Sequence, residues 1–538
     1  MVNVGKPPCD EAVIKSGQVA SPCHGASCTW ILAATILGSS MAFIDGTVVN
    51  VALPALQTSL NATAIDVQWV VESYALLLAA LLLAGGSLGD HYGRRRVFVI
   101  GVGIFAVSSI WCGFAPTVNQ LIIARAVQGI GGALLVPGSL AIISASFDEQ
   151  RRGQAIGTWS GFTAITTAFG PVLGGWLVEH VSWRAVFFLN VPIAVAVIVI
   201  SVLHVPESRA GDDKTGLDWL GAALATVALG ATVYGLIESS RLGFTNRIVV
   251  LTLVGGCGLF VAFLVVEARK ENAMLPLSLF RSVNFTGANL LTLFLYMALG
   301  GVFFFFPLNL IQVQGYSATA AGAATLPFIL IMFSLSRWSG GLVSRYGAKL
   351  PLVIGPVIAA IGFLLFALPG IGGSYWTTFF PAIVVLGFGM AISVAPLTTT
   401  VMGSVTQARA GVASGINNAV SRTAGLLAVA ILGIVMLQAF NARLNQRLKA
   451  IEVTPSVRQE LDAQRIRLAA AKAPADLNPV QRAELERAIA ESFVYGFRVV
   501  MLIAAGLALL SAIAAWVLIE GKTSPAPVTN RRAATAPG

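Results

Sequence analysis

Three ionisable residues, Asp45, Glu72 and Arg125, stand well inside long apolar stretches. Charge at membrane depth is costly and is kept where it relays a proton, binds an ion or pairs with an opposite charge. Low dielectric makes a carboxyl hold its proton, a nearby guanidinium opposes this, and the balance can place proton exchange near neutral pH. Taking span centres near positions 41, 78 and 131, Asp45 lies roughly 6 Å, and Glu72 and Arg125 roughly 9 Å, toward the same side. Groups at one depth can meet, so proton coupling through Asp45, Glu72 and Arg125 is the expectation; a permanent structural ion pair is the alternative. Positions 282–451 contain no Asp or Glu, which confines any carboxylate relay in the membrane to the first half of the chain.

A second group closes the second apolar run. Asp90 precedes Arg94, Arg95 and Arg96, where it can bond the short loop or face the positive N-terminus of a neighbouring helix. A contact formed in only one conformation would make Gly86, Asp90, Gly93 and Arg94 a latch, with Gly89 and Gly93 permitting the tight turn. In the fifth run, Gly170-Pro171-Val-Leu-Gly174-Gly175 joins small residues that allow close helix contact to a proline that breaks a backbone hydrogen bond. A bend at a moving interface is expected there. Gln128, Asn417 and Arg422 are assigned to a cavity for a small-molecule substrate; Arg337 and Arg422 either meet an anionic cargo or cap backbone carbonyls. Cys23, His24 and Cys28 lack a second ligand pair at zinc spacing, so no metal is expected and the cysteines read as buried or idle thiols.

The elements that must position these residues are membrane helices. Of 538 residues, 56% are hydrophobic and only 11% charged, against about 25% charged in soluble chains. Apolar runs at 30–53, 67–89, 97–115, 119–143, 154–178, 184–204, 217–237, 248–267, 286–307, 320–343, 351–369, 376–400, 411–437 and 495–519 give fourteen spans by length. An even count puts both termini on one side. Arg94–Arg96, Arg151, Arg152, Arg345 and Lys349 are among the basic residues in loops of one face, against Arg184, Arg241 and Arg247 opposite; the positive-inside rule makes the richer face cytoplasmic. The net charge of +10 is thereby topology, and no nucleic acid is expected as a partner. Residues 438–492 form one long charged connection on the opposite face, either a helical pair standing off the membrane or a partly disordered loop.

Gly86-Ser-Leu-Gly-Asp90-His-Tyr-Gly93-Arg94 is echoed by Gly340-Gly-Leu-Val-Ser344-Arg-Tyr-Gly347-Ala348 at the end of the tenth run. Two halves of like topology follow, a recurring transporter plan. The organisation read is a tail at 1–29, a six-helix bundle at 30–204, an inserted pair at 205–270, a second bundle at 271–519 and a tail at 520–538. An ATP-driven pump would need a phosphate loop, and Gly521-Lys522-Thr523 lacks its earlier glycine, where Trp516 stands. The four histidines are dispersed, so neither enzyme chemistry nor a cofactor is expected.

Asp45-Gly-Thr-Val-Val-Asn-Val-Ala-Leu-Pro54, Gly86–Arg96, Leu121-Ile-Ile-Ala-Arg125-Ala-Val-Gln128-Gly129 and Gly170–Gly175 resemble, in order, the signature motifs of the fourteen-helix drug:proton antiporters of the major facilitator superfamily. Ser182-Trp183-Arg184 and Asn190-Val-Pro192 look like the same branch. The resemblance covers roughly 30 to 520. It implies an all-α polytopic membrane protein of two six-helix bundles plus two inserted helices, alternating access, a bacterial inner membrane, and a proton gradient as the energy source. By the same resemblance Asp45 is the first-helix acid, Asp90 and Arg94 the latch, Arg125 the coupling arginine and Gly170-Pro171 the antiporter bend. Thr166 and His91 depart from the motifs, at a position usually Gly and one commonly basic. The tenth span lacks the carboxylate of relatives that export dications, so poor handling of dications is expected. A periplasmic adaptor is left open as a partner, and an exporter of an endogenous metabolite is the second reading of function, ahead of a proton-coupled importer.

Overall fold

The computed structural model describes residues 23, 26–209, 218–270, 273–405, 410–451, 453–474 and 477–521. The tail at 1–22, the C-terminal tail from 522 and the basic residues Lys214 and Arg409 fall outside them. Fourteen helices are long and apolar enough to cross a membrane: α1 Ser27–Ser59, α2 Ala64–Leu82, α3 Arg94–Phe114, α4 Val118–Ser146, α5 Arg151–His180, α6 Ala185–His204, α7 Trp219–Leu242, α8 Arg247–Arg269, α9 Val283–Val313, α10 Ala318–Ser336, α11 Lys349–Phe366, α12 Phe380–Gly403, α13 Val412–Ile451 and α14 Pro479–Leu518. The fourteen apolar runs therefore all become spans, and no strand occurs among the described residues.

Local chemistry sets the helix starts, because lipid supplies no partner for free backbone amides. Thr63 and Asp66 form a reciprocal capping box at α2, with Asp66 N–H donating to Thr63 Oγ1 (3.1 Å) and Thr63 N–H to Asp66 Oδ2 (2.9 Å). At α4, α7, α10 and α14, the side chains of Thr117, Asp218, Ser317 and Asn478 each accept one hydrogen bond from a first-turn backbone amide. Ahead of α1, a disulfide joins Cys23 to Cys28, and the Cys23 N–H donates to Ser146 O (2.8 Å). These two cysteines are thus paired rather than idle.

In the first half α4 packs against α2 and α3, while α1 packs against α5 and α6; in the second, α9 lies against α13 and α14, and α11 against α12 and α14. The inserted helices α7 and α8 pair with each other, and α7 lies against both α2 and α13, across the seam between the halves. Glycine makes the closest approaches. At Gly131 a Cβ would lie 2.6 Å from the Phe105 backbone nitrogen, so α3 and α4 touch backbone to backbone.

The halves meet at the face opposite the arginine-rich loops. Gln312 Nε2 donates to Gln57 Oε1 (2.8 Å), Thr319 Oγ1 donates to Glu179 Oε2 (2.6 Å), and Gln68 Nε2 reaches Val429 O (3.4 Å). Gly322 lies directly on the Pro171 carbonyl and Gly175 on the Ala318 carbonyl. At the basic face, Tyr92, Trp338 and Tyr346 are exposed. The side-chain hydrogen bonds from Gln312, Thr319 and Gln68 between the halves all lie toward the face opposite the arginine-rich loops.

The connection 438–492 is helical. At 1.5 Å per residue, the 40 residues of each of α13 and α14 span about 60 Å, twice the hydrocarbon thickness of about 30 Å. Their extensions carry a short helix, Pro455–Gln464, and a 3₁₀ turn, Arg465–Ala470. That turn lies on the seam: Gln57 Nε2 donates to Arg467 O (3.2 Å), and Leu468 is buried. Leu468 has φ +54°, a conformation that costs a non-glycine residue about 1–3 kcal/mol and is held by its surroundings.

The Gly322 contact sets a test of the seam. A Gly322→Val side chain would overlap the Pro171 carbonyl, and overpacking of this kind costs about 1–3 kcal/mol. A cysteine at position 312, in a background without the native cysteines, should then react several-fold faster with a membrane-impermeant maleimide. Unchanged labelling would show that the seam does not depend on this approach.

Candidate functional site

Five helices converge on Asp45. Its carboxylate is ion-paired with Arg125 of α4, and both residues are 1% exposed. Gln128, one turn along the same face of α4, accepts from Arg125 Nη1 (2.7 Å) and donates from Nε2 to Asp45 Oδ1 (2.9 Å). Asn190, which opens the long part of α6 two residues before Pro192, donates to the same Oδ1 (3.2 Å). Ser109 Oγ of α3 accepts from Gln128 (2.8 Å) and Asn190 (3.3 Å), and Arg125 Nε donates to the Val70 carbonyl of α2 (3.1 Å). A buried ion pair survives when its remaining hydrogen-bonding capacity is met, and here donors or acceptors from α1, α2, α3, α4 and α6 meet it. The guanidinium lies over the Tyr74 ring at 4.2 Å, with the Phe187 ring at 5.8 Å.

Glu72 does not join this network. It is 1% exposed, its Oε2 has no hydrogen-bond partner, and no bond links it to Asp45 or Arg125. It stands one turn along α2 from Gln68, whose amide crosses to α13. Of the three ionisable groups expected at one depth, two meet and the third lies by the seam.

At the basic face, the helix of α2 continues to Tyr92. Arg94 Nε donates to Asp90 Oδ1 (2.8 Å), and the Asp90 side chain is 47% exposed, with no bond to the second half. Another acid occupies the N-terminus of α3. Glu207 accepts from the amides of Arg95 (3.0 Å) and Arg96 (3.2 Å), with both guanidinium groups 3.7 Å away. Gly93, at φ +116°, makes the turn between the helices, and a Cβ there would lie 2.7 Å from Glu207 Oε1. Gly86 is in ordinary contact with Pro137.

The glycines of α5 serve contact. Gly170 abuts Thr47, Gly174 abuts Val48, and Gly175 abuts the start of α10. The helix runs unbroken from Glu149 to His180 through Pro171. Gln128, expected along a cavity, is fully buried and belongs to the ion-pair network. Asn417 is likewise enclosed, donating to Thr292 Oγ1 (2.7 Å) and Asn289 Oδ1 (3.1 Å) of α9. Both stand inside bundles because their amides are already engaged. Arg422 is half-buried on α13, within electrostatic range of the Tyr74 hydroxyl. The Arg337 side chain lies outside the described residues. No group of three His, Cys, Asp or Glu able to hold a metal occurs among the described residues.

The sequence reading missed Ser109, Tyr74 and Glu207 and gave Asn190 no role. Glu207 carried a usable signal: an acid in a basic-face loop, complementary to the helix start that follows three arginines.

Comparison with known proteins gives this geometry its setting. The family model described as Major Facilitator Superfamily matches residues 35–429. The multidrug resistance protein Stp of Mycobacterium tuberculosis is 35% identical over 499 residues, covering 90% of this chain and 91% of its own. The puromycin resistance protein pur8 of Streptomyces alboniger is 30% identical, covering 96% and 97%, and the tetracenomycin C resistance and export protein of Streptomyces glaucescens is 34% identical, covering 75% of each. Among solved structures, a bacterial homologue of the human lysosomal transporter Spinster, inward-facing and occupied, aligns with TM-score 0.65 at 15% identity, over 94% of this chain and 100% of that one. The inward-open xylose transporter XylE from E. coli aligns with TM-score 0.55 at 15% identity, over 92% and 97%. Fourteen membrane-length helices and a family match across most of the chain lead to one conclusion: the protein is a multi-pass membrane transporter that belongs to the major facilitator superfamily.

Proposed function

We propose that the protein is a proton-coupled antiporter that exports drugs or other amphipathic small molecules across a bacterial cytoplasmic membrane by alternating access. Both termini and the arginine-rich loops are cytoplasmic in this reading. The observation that carries it is the buried Asp45–Arg125–Gln128 network, a charge pair that five helices enclose inside one bundle. A carboxylate held by a fixed cation and two amide donors can release its proton, and taking one up removes the charge that pairs with that cation. The likeness to drug and antibiotic resistance proteins supports the cargo class. Its partners are the cargo, protons and the bilayer.

The cycle has a fixed sign. With the seam closed on the outer face and Asp45 ion-paired, the molecule corresponds to the inward-facing state after proton release, ready for cargo. Cargo then favours reorientation. At the outer face a proton neutralises Asp45, loosens its hold on Arg125 and favours return. Glu72 serves as a second proton-accepting group beside the seam, distinct from the pair. The Asp90–Arg94 pair is the part of the latch that waits on the cytoplasmic side, and Glu207 fixes the arginine-bearing helix start opposite it.

Export of a compound made by the same cell is the second reading. It is favoured by the likeness to the tetracenomycin C resistance and export protein.

In proteoliposomes carrying a lumenal pH dye, puromycin, tetracenomycin C and a panel of lipophilic cations and acids should trigger proton movement through the wild type. Asp45→Asn should lose it at least a hundredfold; full proton-coupled export by that variant would overturn the assignment. Asp90→Asn should slow turnover about tenfold with cargo affinity nearly unchanged, and lost binding would sink the latch. The acid-free stretch 282–451 predicts that a dicationic dye is exported at least tenfold less well than a monocationic analogue of similar size; equal export would contradict this.

A further inference from the structure

The Arg125 guanidinium poses a problem that the exchange cycle must solve. When Asp45 is protonated, a cation 1% exposed loses its counter-charge, and an unpaired buried charge is strongly destabilising. It must either swing toward water or be held by something other than the carboxylate. The structure supplies the second option. In its own plane, Arg125 donates to the Val70 carbonyl (3.1 Å) and the Gln128 amide oxygen (2.7 Å), neither of which titrates. The guanidinium carbon also lies over the Tyr74 ring, 4.2 Å from its centroid, and over the Phe187 ring at 5.8 Å. An aromatic face attracts a cation most strongly where water is excluded.

The Tyr74 ring is itself held from several sides. Its hydroxyl lies 3.4 Å from the Ala42 carbonyl of α1, one turn from Asp45, and its edge meets Phe105 with centroids 6.3 Å apart. Behind it α2 and α4 are in contact: a Cβ at Gly129 would lie 3.2 Å from the Leu77 Cβ, and one at Gly132 would lie 3.6 Å from the Tyr74 hydroxyl. Glycine at both positions lets α4 pass close to the α2 turn that carries the ring. The ionisable groups of the surrounding network are Asp45 and Arg125 themselves, the Cys112 thiol of α3, 3.8 Å from the Gln128 amide oxygen, and Arg422 of α13, whose charge acts on Tyr74.

We propose that Tyr74, with the more distant Phe187 ring, is a positioning residue: an aromatic clamp that keeps Arg125 beside Asp45 whether or not the carboxyl carries its proton. The proton can then leave and return without the cation moving. Tyr74 acts through Arg125 and touches neither proton nor cargo. The inference rests on Asp45 being the exchanging carboxyl. Without the clamp, Arg125 is free to leave when the carboxyl is neutral, the carboxylate must re-form without a fixed partner, and Asp45 retains its proton to higher pH.

The test reads Asp45 directly and needs no cargo. A carbodiimide reacts with protonated buried carboxyls, so labelling of Asp45 in the purified full chain, followed by mass spectrometry from pH 5 to 9, gives a midpoint for proton loss. Tyr74→Phe keeps the ring and should keep the wild-type midpoint. Tyr74→Leu should raise it by about one unit, a tenfold change in proton affinity, or about 1.4 kcal/mol. Phe187→Leu removes the more distant ring and should shift it the same way by less, which preserves the test if Tyr74→Leu does not fold. Arg125→Lys separates the two ideas. If Arg125→Lys moves the midpoint while Tyr74→Leu and Phe187→Leu do not, the clamp is overturned and the ion pair stands. If Tyr74→Phe shifts as far as Tyr74→Leu, the ring is not the cause and the clamp is likewise overturned. If Asp45→Asn keeps proton-coupled export, the exchange reading fails whatever the labelling shows.

Discussion

A charge pair out of reach of water dictates much of the first half of this molecule. Low dielectric makes both the attraction between Asp45 and Arg125 and the penalty for any unmet polar atom large. The pair is therefore stable only inside a complete shell, and that shell draws on α1, α2, α3, α4 and α6. Each of those helices is pinned by its contribution. Removing the Asp45 carboxyl would thus leave Gln128, Asn190 and Ser109 holding donors and acceptors arranged for a group no longer there.

Glycine sets the distances that let so many helices reach one carboxylate. Gly101 and Gly131 bring α3 against α4, Gly129 and Gly132 bring α4 against α2, and Gly170 and Gly174 bring α5 against α1. The second half has close contacts of the same kind, with Gly355 and Gly389 between α11 and α12, but among its described residues there is no enclosed ion pair like Asp45–Arg125. Its buried polar clasp, Asn417 with Asn289 and Thr292, is neutral. One half is built around a buried ion pair and the other around neutral polar contacts.

Much of this was legible in the sequence, for definite reasons. Apolar length sufficed for the spans, since the bilayer imposes it. Asp45 and Arg125 were legible because charge is rare inside apolar runs. Gln128 was visible but misplaced: its i+3 spacing from Arg125 puts both on one face of α4, which already favoured a shared network over a cavity. Ser109 and Asn190 were hidden, because small polar residues are frequent in membrane helices and carry no periodic signal. Glu72 had the right depth but the wrong face, and depth alone does not fix azimuth. The 438–492 connection carried good helix formers, yet the turn at Leu468, with its positive φ, has no signature in a leucine.

That connection behaves as a lever. Both its arms are extensions of α13 and α14, helices of one half, while the tip at Arg467 and Leu468 rests against Gln57 and the start of α2 in the other. An arm projecting about 30 Å converts each ten degrees of rocking into about 5 Å of travel at its end. A hydrogen bond to a carbonyl and one buried side chain cannot stretch over such a distance. Under such rocking they would hold or let go rather than stretch, so the tip would act like a detent on a hinge.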